Sequence, residues 1–141
     1  MRRAFTLLEL SCVIAVIAIL AAATVPAYDL LVRRARTSEA RMMIDAISHA
    51  ELRHFRDRGA FLACGGDGAA PTGPAAFPAD EPCWKELGIH AGGPVRYRYG
   101  VSVDGEAYRV TARGDLDRDG APSSFTLDGA SLVLTVQDEL E

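Results

Sequence analysis

The sequence predicts an α+β protein: a long N-terminal helix followed by a small antiparallel sheet. Three observations predict it. Residues 5–28 form an apolar run of Leu, Ile, Val and Ala with a single charge, Glu9. Beyond it, Ala35, Met42, Met43, Ala46, Ile47, Ala50 and Phe55 recur near a 3.6-residue period. From Pro94 the period drops to two, and Asp-Gly pairs punctuate the alternation.

The apolar run comes first. As a helix its 24 residues span about 36 Å, enough to cross a bilayer core of about 30 Å. In lipid the backbone must satisfy itself, so the run is read as helical. Arg2 and Arg3 precede it, and Arg33, Arg34 and Arg36 follow it, so the positive-inside rule selects no orientation. The leader of four residues is short for a secretory signal, although AAATVPA resembles a late cleavage site and keeps that rival open. Asp29 to about Arg58 continues the helix as an amphipathic segment that Gly59 terminates. Arg36, Glu39, Arg41, Asp45, Glu51 and Arg53 are expected on its solvent faces. The whole helix, residues 5–58, would run about 80 Å. Pro26 removes one of its hydrogen bonds and is expected to bend it.

An isolated ionised carboxylate is costly in hydrocarbon, so Glu9 needs a reason. Its context supplies one. RRAFTLLEL followed by the apolar run closely resembles the processing signal of type IV pilins, minor pilins and type II secretion pseudopilins. The resemblance covers about the first 30 residues. It implies a leader of residues 1–4, cut by a prepilin peptidase between Ala4 and Phe5, with Phe5 becoming the N-methylated first residue. This chain has Ala4 where the family usually has Gly. It implies that Glu9 pairs with the α-amino group of a neighbouring subunit during assembly, and that Pro26 occupies the position of a helix-bending proline. A pilin-like architecture follows: a helix, membrane-spanning in 5–28, carrying a globular head. The alternative for Glu9 is a carboxylate that stays hydrated near the interface.

Residues 59–94 read as a loop region rich in Gly, Pro and Ala, with a short packed turn or helix around Trp84, itself expected as a core anchor. Cys64 and Cys83 flank this stretch and Cys12 lies in the apolar run. An even pair outside the cytoplasm reads as a disulfide, worth about 3 kcal/mol for a loop of this length; two free thiols are the alternative. Residues 95–141 are assigned to the sheet. Val95–Tyr99 alternates, with Tyr97 and Tyr99 inward and Arg96 and Arg98 outward; segments 106–112, 124–127 and 131–136 follow, separated by Asp104-Gly105 and Asp128-Gly129. Three or four strands are expected, packed on the outer half of the helix.

Asp115-Leu116-Asp117-Arg118-Asp119-Gly120 matches the front of a calcium loop, with alternating carboxylates and a glycine for the turn. Its twelfth position is Thr126 rather than Glu. A reduced Ca²⁺ site on Asp115, Asp117 and Asp119 and an Asp-rich turn are both open; the resemblance adds that some family members bind calcium in this region. No other cofactor is implied. His49 and His54 lack the spacing of paired helical metal ligands, and no nucleophile elbow, phosphate loop or redox C-x-x-C is present, so no enzyme activity is expected. Residues 59–141 carry 6 basic and 13 acidic residues, which argues against nucleic acid as a partner.

The expected function is a structural subunit of a type IV pilus-like filament. Its partners would be other copies or other pilins, the prepilin peptidase, the inner-membrane assembly machinery and, before assembly, membrane lipid. It would sit in the bacterial inner membrane with its head outside the cytoplasm, then in a pilus or pseudopilus at the envelope or surface. A secretion pseudopilin and a membrane-tethered calcium-binding head that never polymerises are the alternatives.

Overall fold

The computed structural model describes residues 6–65 and 68–138. The leader and the predicted cut between Ala4 and Phe5 lie outside the described residues. Six elements follow in order: α1 (Leu7–Arg58), α2 (Pro82–Leu87), β1 (Arg98–Asp104), β2 (Ala107–Gly114), β3 (Ser123–Asp128) and β4 (Val133–Gln137). This is the expected α+β arrangement. The chain divides into two units, Met1–Arg34 and Ala35–Glu141.

In the first unit α1 begins after Thr6 and presents an apolar stretch, Leu7–Val25, of mean hydropathy 2.4, long and apolar enough to cross a membrane. Its side chains are exposed throughout, Leu7 by 85% and Ile19 by 71%. Helical assignment runs through Pro26 without a break.

In the second unit the later part of α1 packs on the sheet. Ala40, Ile44, Ile47 and Ala50 are buried at i, i+4, i+7 and i+10, one face of a 3.6-period helix. Burying each large apolar chain contributes about 1.5–3 kcal/mol. Gly59 ends the helix at φ 75°, its N–H donating to the Phe55 carbonyl at 2.8 Å, a left-handed closure suited to glycine.

The four strands pair consecutively and antiparallel in the order β1-β2-β3-β4. Their inner face supplies Tyr99, Val101, Tyr108, Val110, Ala112, Phe125 and Leu127 to the core. Tyr97, just ahead of β1, joins them and meets Phe125 edge-on at 5.6 Å. The Tyr108 hydroxyl and Ser48 on α1 are 2.8 Å apart, tying helix to sheet.

On α1, Ala35, Met42, Ala46 and Phe55 of the expected apolar face are exposed, the buried stripe running instead through Ala40 and Ile44, and in the sheet three strand boundaries shift. The ladder with β2 starts at Arg98, not Val95, because Val95 instead bridges Ala75 in the loop. Glu106 belongs to the β1–β2 turn rather than a strand. Ser131 and Leu132 also lie in a turn: Asp128 Oδ1 accepts from the N–H groups of Ala130 and Ser131 and from the Ser131 hydroxyl, which delays β4 to Val133. These bonds hold the exposed Asp128 carboxyl below the usual aspartate range.

Candidate functional site

The N-terminal end of α1 is built by Thr6. Its Oγ1 accepts the Glu9 N–H at 3.2 Å and lies 3.5 Å from Glu9 Oε2. That is one arm of a capping box, Thr-x-x-Glu, which ends the helix without leaving that N–H unpaired. The signal TLLE stands in the sequence, and period reasoning passed over it. Further along, the Ser11 hydroxyl donates to the Leu8 carbonyl at 2.8 Å and the Thr24 hydroxyl to the Leu20 carbonyl at 2.7 Å. These polar groups are satisfied within the helix, as an apolar surrounding demands. Glu9 is the single charged residue between Leu7 and Val25.

The acidic loop joins β2 to β3. Asp115 is buried, Asp117 and Asp119 are exposed, and one carboxylate oxygen from each lies within 4.8 Å of the others. Their backbone contacts shape the turn: Asp115 Oδ1 accepts from the Arg118 N–H at 2.8 Å, Asp117 Oδ1 from Asp119 at 3.2 Å and Asp119 Oδ1 from Ala121 at 2.7 Å. Gly120 takes φ 91°. The loop is anchored to residues 71–72, the Asp115 N–H donating to the Pro71 carbonyl and Arg118 Nε to the Thr72 carbonyl. Oxygens bound to one Ca²⁺ at about 2.3–2.6 Å lie no more than about 5 Å apart, so the three acids fit such an ion. Their backbone bonds equally make a complete Asp-rich turn.

Cys64 is buried and Cys83 half-buried. Both are free cysteines in this structure, Cys64 buried in the apolar core and Cys83 packed against it. Burial pushes the Cys64 thiol well above its ordinary range, with the Cys83 hydrogen bond and the charges of Cys83, Glu51 and Glu81 adding to the rise.

Two helix carboxylates depart from the expected solvent faces. Glu51 is wholly buried. Its Oε2 accepts the Leu62 N–H at 3.0 Å, while its Oε1 has no hydrogen-bond partner among the described residues. Burial raises its pKa, against the lowering effects of the Leu62 bond and the charge of His54. Glu39 is half-buried; it accepts from the Arg96 N–H at 2.7 Å and from Arg96 Nη1 at 3.0 Å. Arg98 Nε donates to the Ala69 carbonyl at 3.0 Å. The arginines of the alternating segment thus hold local structure. Trp84 is fully buried, as expected of an anchor.

An exposed apolar helical stretch with one acid near its start, followed by an antiparallel sheet domain, defines an α+β protein whose N-terminal helix fits membrane anchoring. Residues 1–25 match the family model described as the prokaryotic N-terminal methylation motif. That motif is the signature of type IV pilins and pseudopilins, and the N-terminal end of this chain is similar to it. No curated protein and no solved structure matches the chain.

Proposed function

We propose that the chain is a structural subunit of a type IV pilus-like filament, working by polymerisation rather than catalysis. A prepilin peptidase removes residues 1–4, and the processed chain waits in the inner membrane on its apolar helix with the head outside the cytoplasm. The assembly machinery then draws it into a filament with copies of itself or other pilins, Glu9 of one subunit meeting the Phe5 amine of the next. One observation carries the reading: the methylation motif at residues 1–25 takes in an exposed apolar helical stretch, Leu7–Val25, whose single charge is Glu9. Mass spectrometry of the mature N-terminal peptide tests it. The expected peptide starts at N-methylated Phe5; an intact Met1, or a start after Ala27, defeats the proposal.

The acidic loop favours a second reading, a tethered calcium-binding head that stays in the membrane. The tethered head requires Ca²⁺ on Asp115, Asp117 and Asp119, whereas the filament subunit does not, and the two readings part on assembly. Only the filament subunit appears in sheared surface fractions or in a secretion pseudopilus.

A further inference from the structure

We propose that Arg33, Arg34 and Arg36 form a collar on α1 that binds anionic lipid headgroups at the membrane surface. The inference rests on the reading that α1 anchors the chain in a bilayer, and it adds the charge class of lipid that the anchor selects.

The order of residues along α1 carries it. Val25, Tyr28 and Leu31 are exposed by 61%, 65% and 62%. They recur every three residues and so continue one side of the helix. Exposed apolar groups there suit lipid, and a tyrosine suits the level where hydrocarbon meets headgroups. Two residues past Leu31 the composition switches. Residues 26–38 hold Arg33, Arg34 and Arg36 against a single acid, Asp29. Arg33 and Arg34 are exposed and Arg36 is half-buried.

Helix geometry sets the depth. Arg33 lies about 8 Å beyond Tyr28 along the axis, and Arg36 about 12 Å. Headgroups add about 5–8 Å to each side of the hydrocarbon. Side chains on a helix lean toward its N-terminus, here toward the membrane, so the long arginine stems bring their charges back to the headgroup layer. At about 100° per residue the three spread around the helix, which makes a collar for several lipids. Arg33 and Arg34 also make an interaction within the chain; a guanidinium has five donors, which leaves others for a phosphate. Charge then decides which lipid. A zwitterionic headgroup supplies its own cation, whereas an anionic one does not. Residues 59–141 carry 6 basic and 13 acidic residues, so attraction to an anionic surface must come from the collar.

The test uses the full chain with Arg2→Gln and Arg3→Gln, which leaves basic residues on only one flank of the apolar stretch. It is placed in nanodiscs of phosphatidylcholine, alone or mixed with phosphatidylglycerol. Traces of spin-labelled phosphatidylglycerol or phosphatidylcholine report the lipid immobilised at the protein surface. Phosphatidylglycerol should be preferred about fivefold over phosphatidylcholine at the collar, and molar salt should erode the preference. Replacing Arg33, Arg34 and Arg36 together by Gln should abolish it. Replacing all three by Lys should retain most of it, which separates charge from any change in the fold. An inserted chain without a preference overturns the collar and leaves the anchor standing. A preference that survives the Gln replacements, or one lost equally with Lys, overturns the assignment to these arginines. A chain that fails to enter phosphatidylcholine discs defeats the anchoring reading and the collar with it.

Discussion

Glu51 shows what a helical period hides. The sequence places it among the charges of an amphipathic helix, yet it is wholly buried and the Leu62 N–H of the following loop binds it. A pattern taken from one element cannot see a loop that returns from outside that element. Its neighbours Ile47 and Ala50 were legible because their burial needs only α1 and an apolar partner. The consequence is a pH dependence. The folded-state pKa lies above the ordinary value of 4.5, so the folded chain holds this proton at pH values where the unfolded chain has lost it. The stability it contributes is fully present below pH 4.5 and is lost as pH rises through the folded pKa. Glu51→Gln keeps the shape and removes the titration. Thermal unfolding followed by circular dichroism should show the parent falling relative to Glu51→Gln from mildly acid to alkaline pH. The variant should be the more stable at the alkaline end by on the order of 1 kcal/mol. Parallel curves would mean that Glu51 does not titrate in this range.

Turns were the best-read elements and strand starts the worst. Asp104-Gly105 and Asp128-Gly129 separate strands as their chemistry requires. The start of β1 was not legible, because Val95 alternates in phase with β1 but pairs with the loop at Ala75. Gly129 carries more than turn freedom. A Cβ there would run into the Tyr108 ring, which is buried with its hydroxyl bound to Ser48 and cannot swing away. Gly129→Ala should therefore cost about 1–3 kcal/mol or more by overpacking. Gly59→Ala meets nothing within 4 Å and pays only for its φ of 75°, about 1 kcal/mol. Equal melting losses in the two variants would remove the steric argument. The acidic loop was legible as a spacing, but its tie to Pro71 and Thr72 was not, since that depends on how the loop region folds back. If it holds Ca²⁺, the full chain should be stabilised by about 2.7 kcal/mol at a hundredfold excess over Kd. Asp117→Ala should abolish the gain, and identical melting in calcium and chelator would leave only the turn.

At the scale of the whole molecule, the chain joins a helix that water does not suit to a domain with a core of its own. Leu7–Val25 exposes apolar side chains along its length, so it needs lipid or other helices around it. This part was legible almost entirely from the first 28 residues, because a bilayer imposes a simple rule on composition; Thr6 was the exception. That exception sharpens the decisive experiment. Glu9 has two candidate roles: a local one at the capped end of α1 with Thr6, and a docking one with a neighbour's amine. Gln serves a capping box as well as Glu does, so Glu9→Gln preserves the local role and deletes the charge. Glu9→Asp keeps the charge on a shorter arm. If pairing drives docking, Glu9→Gln should be processed normally, remain in the membrane fraction and be missing from filaments, at a cost of about 3–5 kcal/mol per contact for the uncompensated amine. Glu9→Asp should assemble at a reduced level. Thr6→Val supplies the reciprocal control: it weakens the cap, leaves the carboxylate in place and should assemble better than Glu9→Gln. Filament yield after shearing, scored beside membrane-retained subunit for each variant, reads all three. Wild-type yield from Glu9→Gln would show that the acid serves the helix end and not the neighbour.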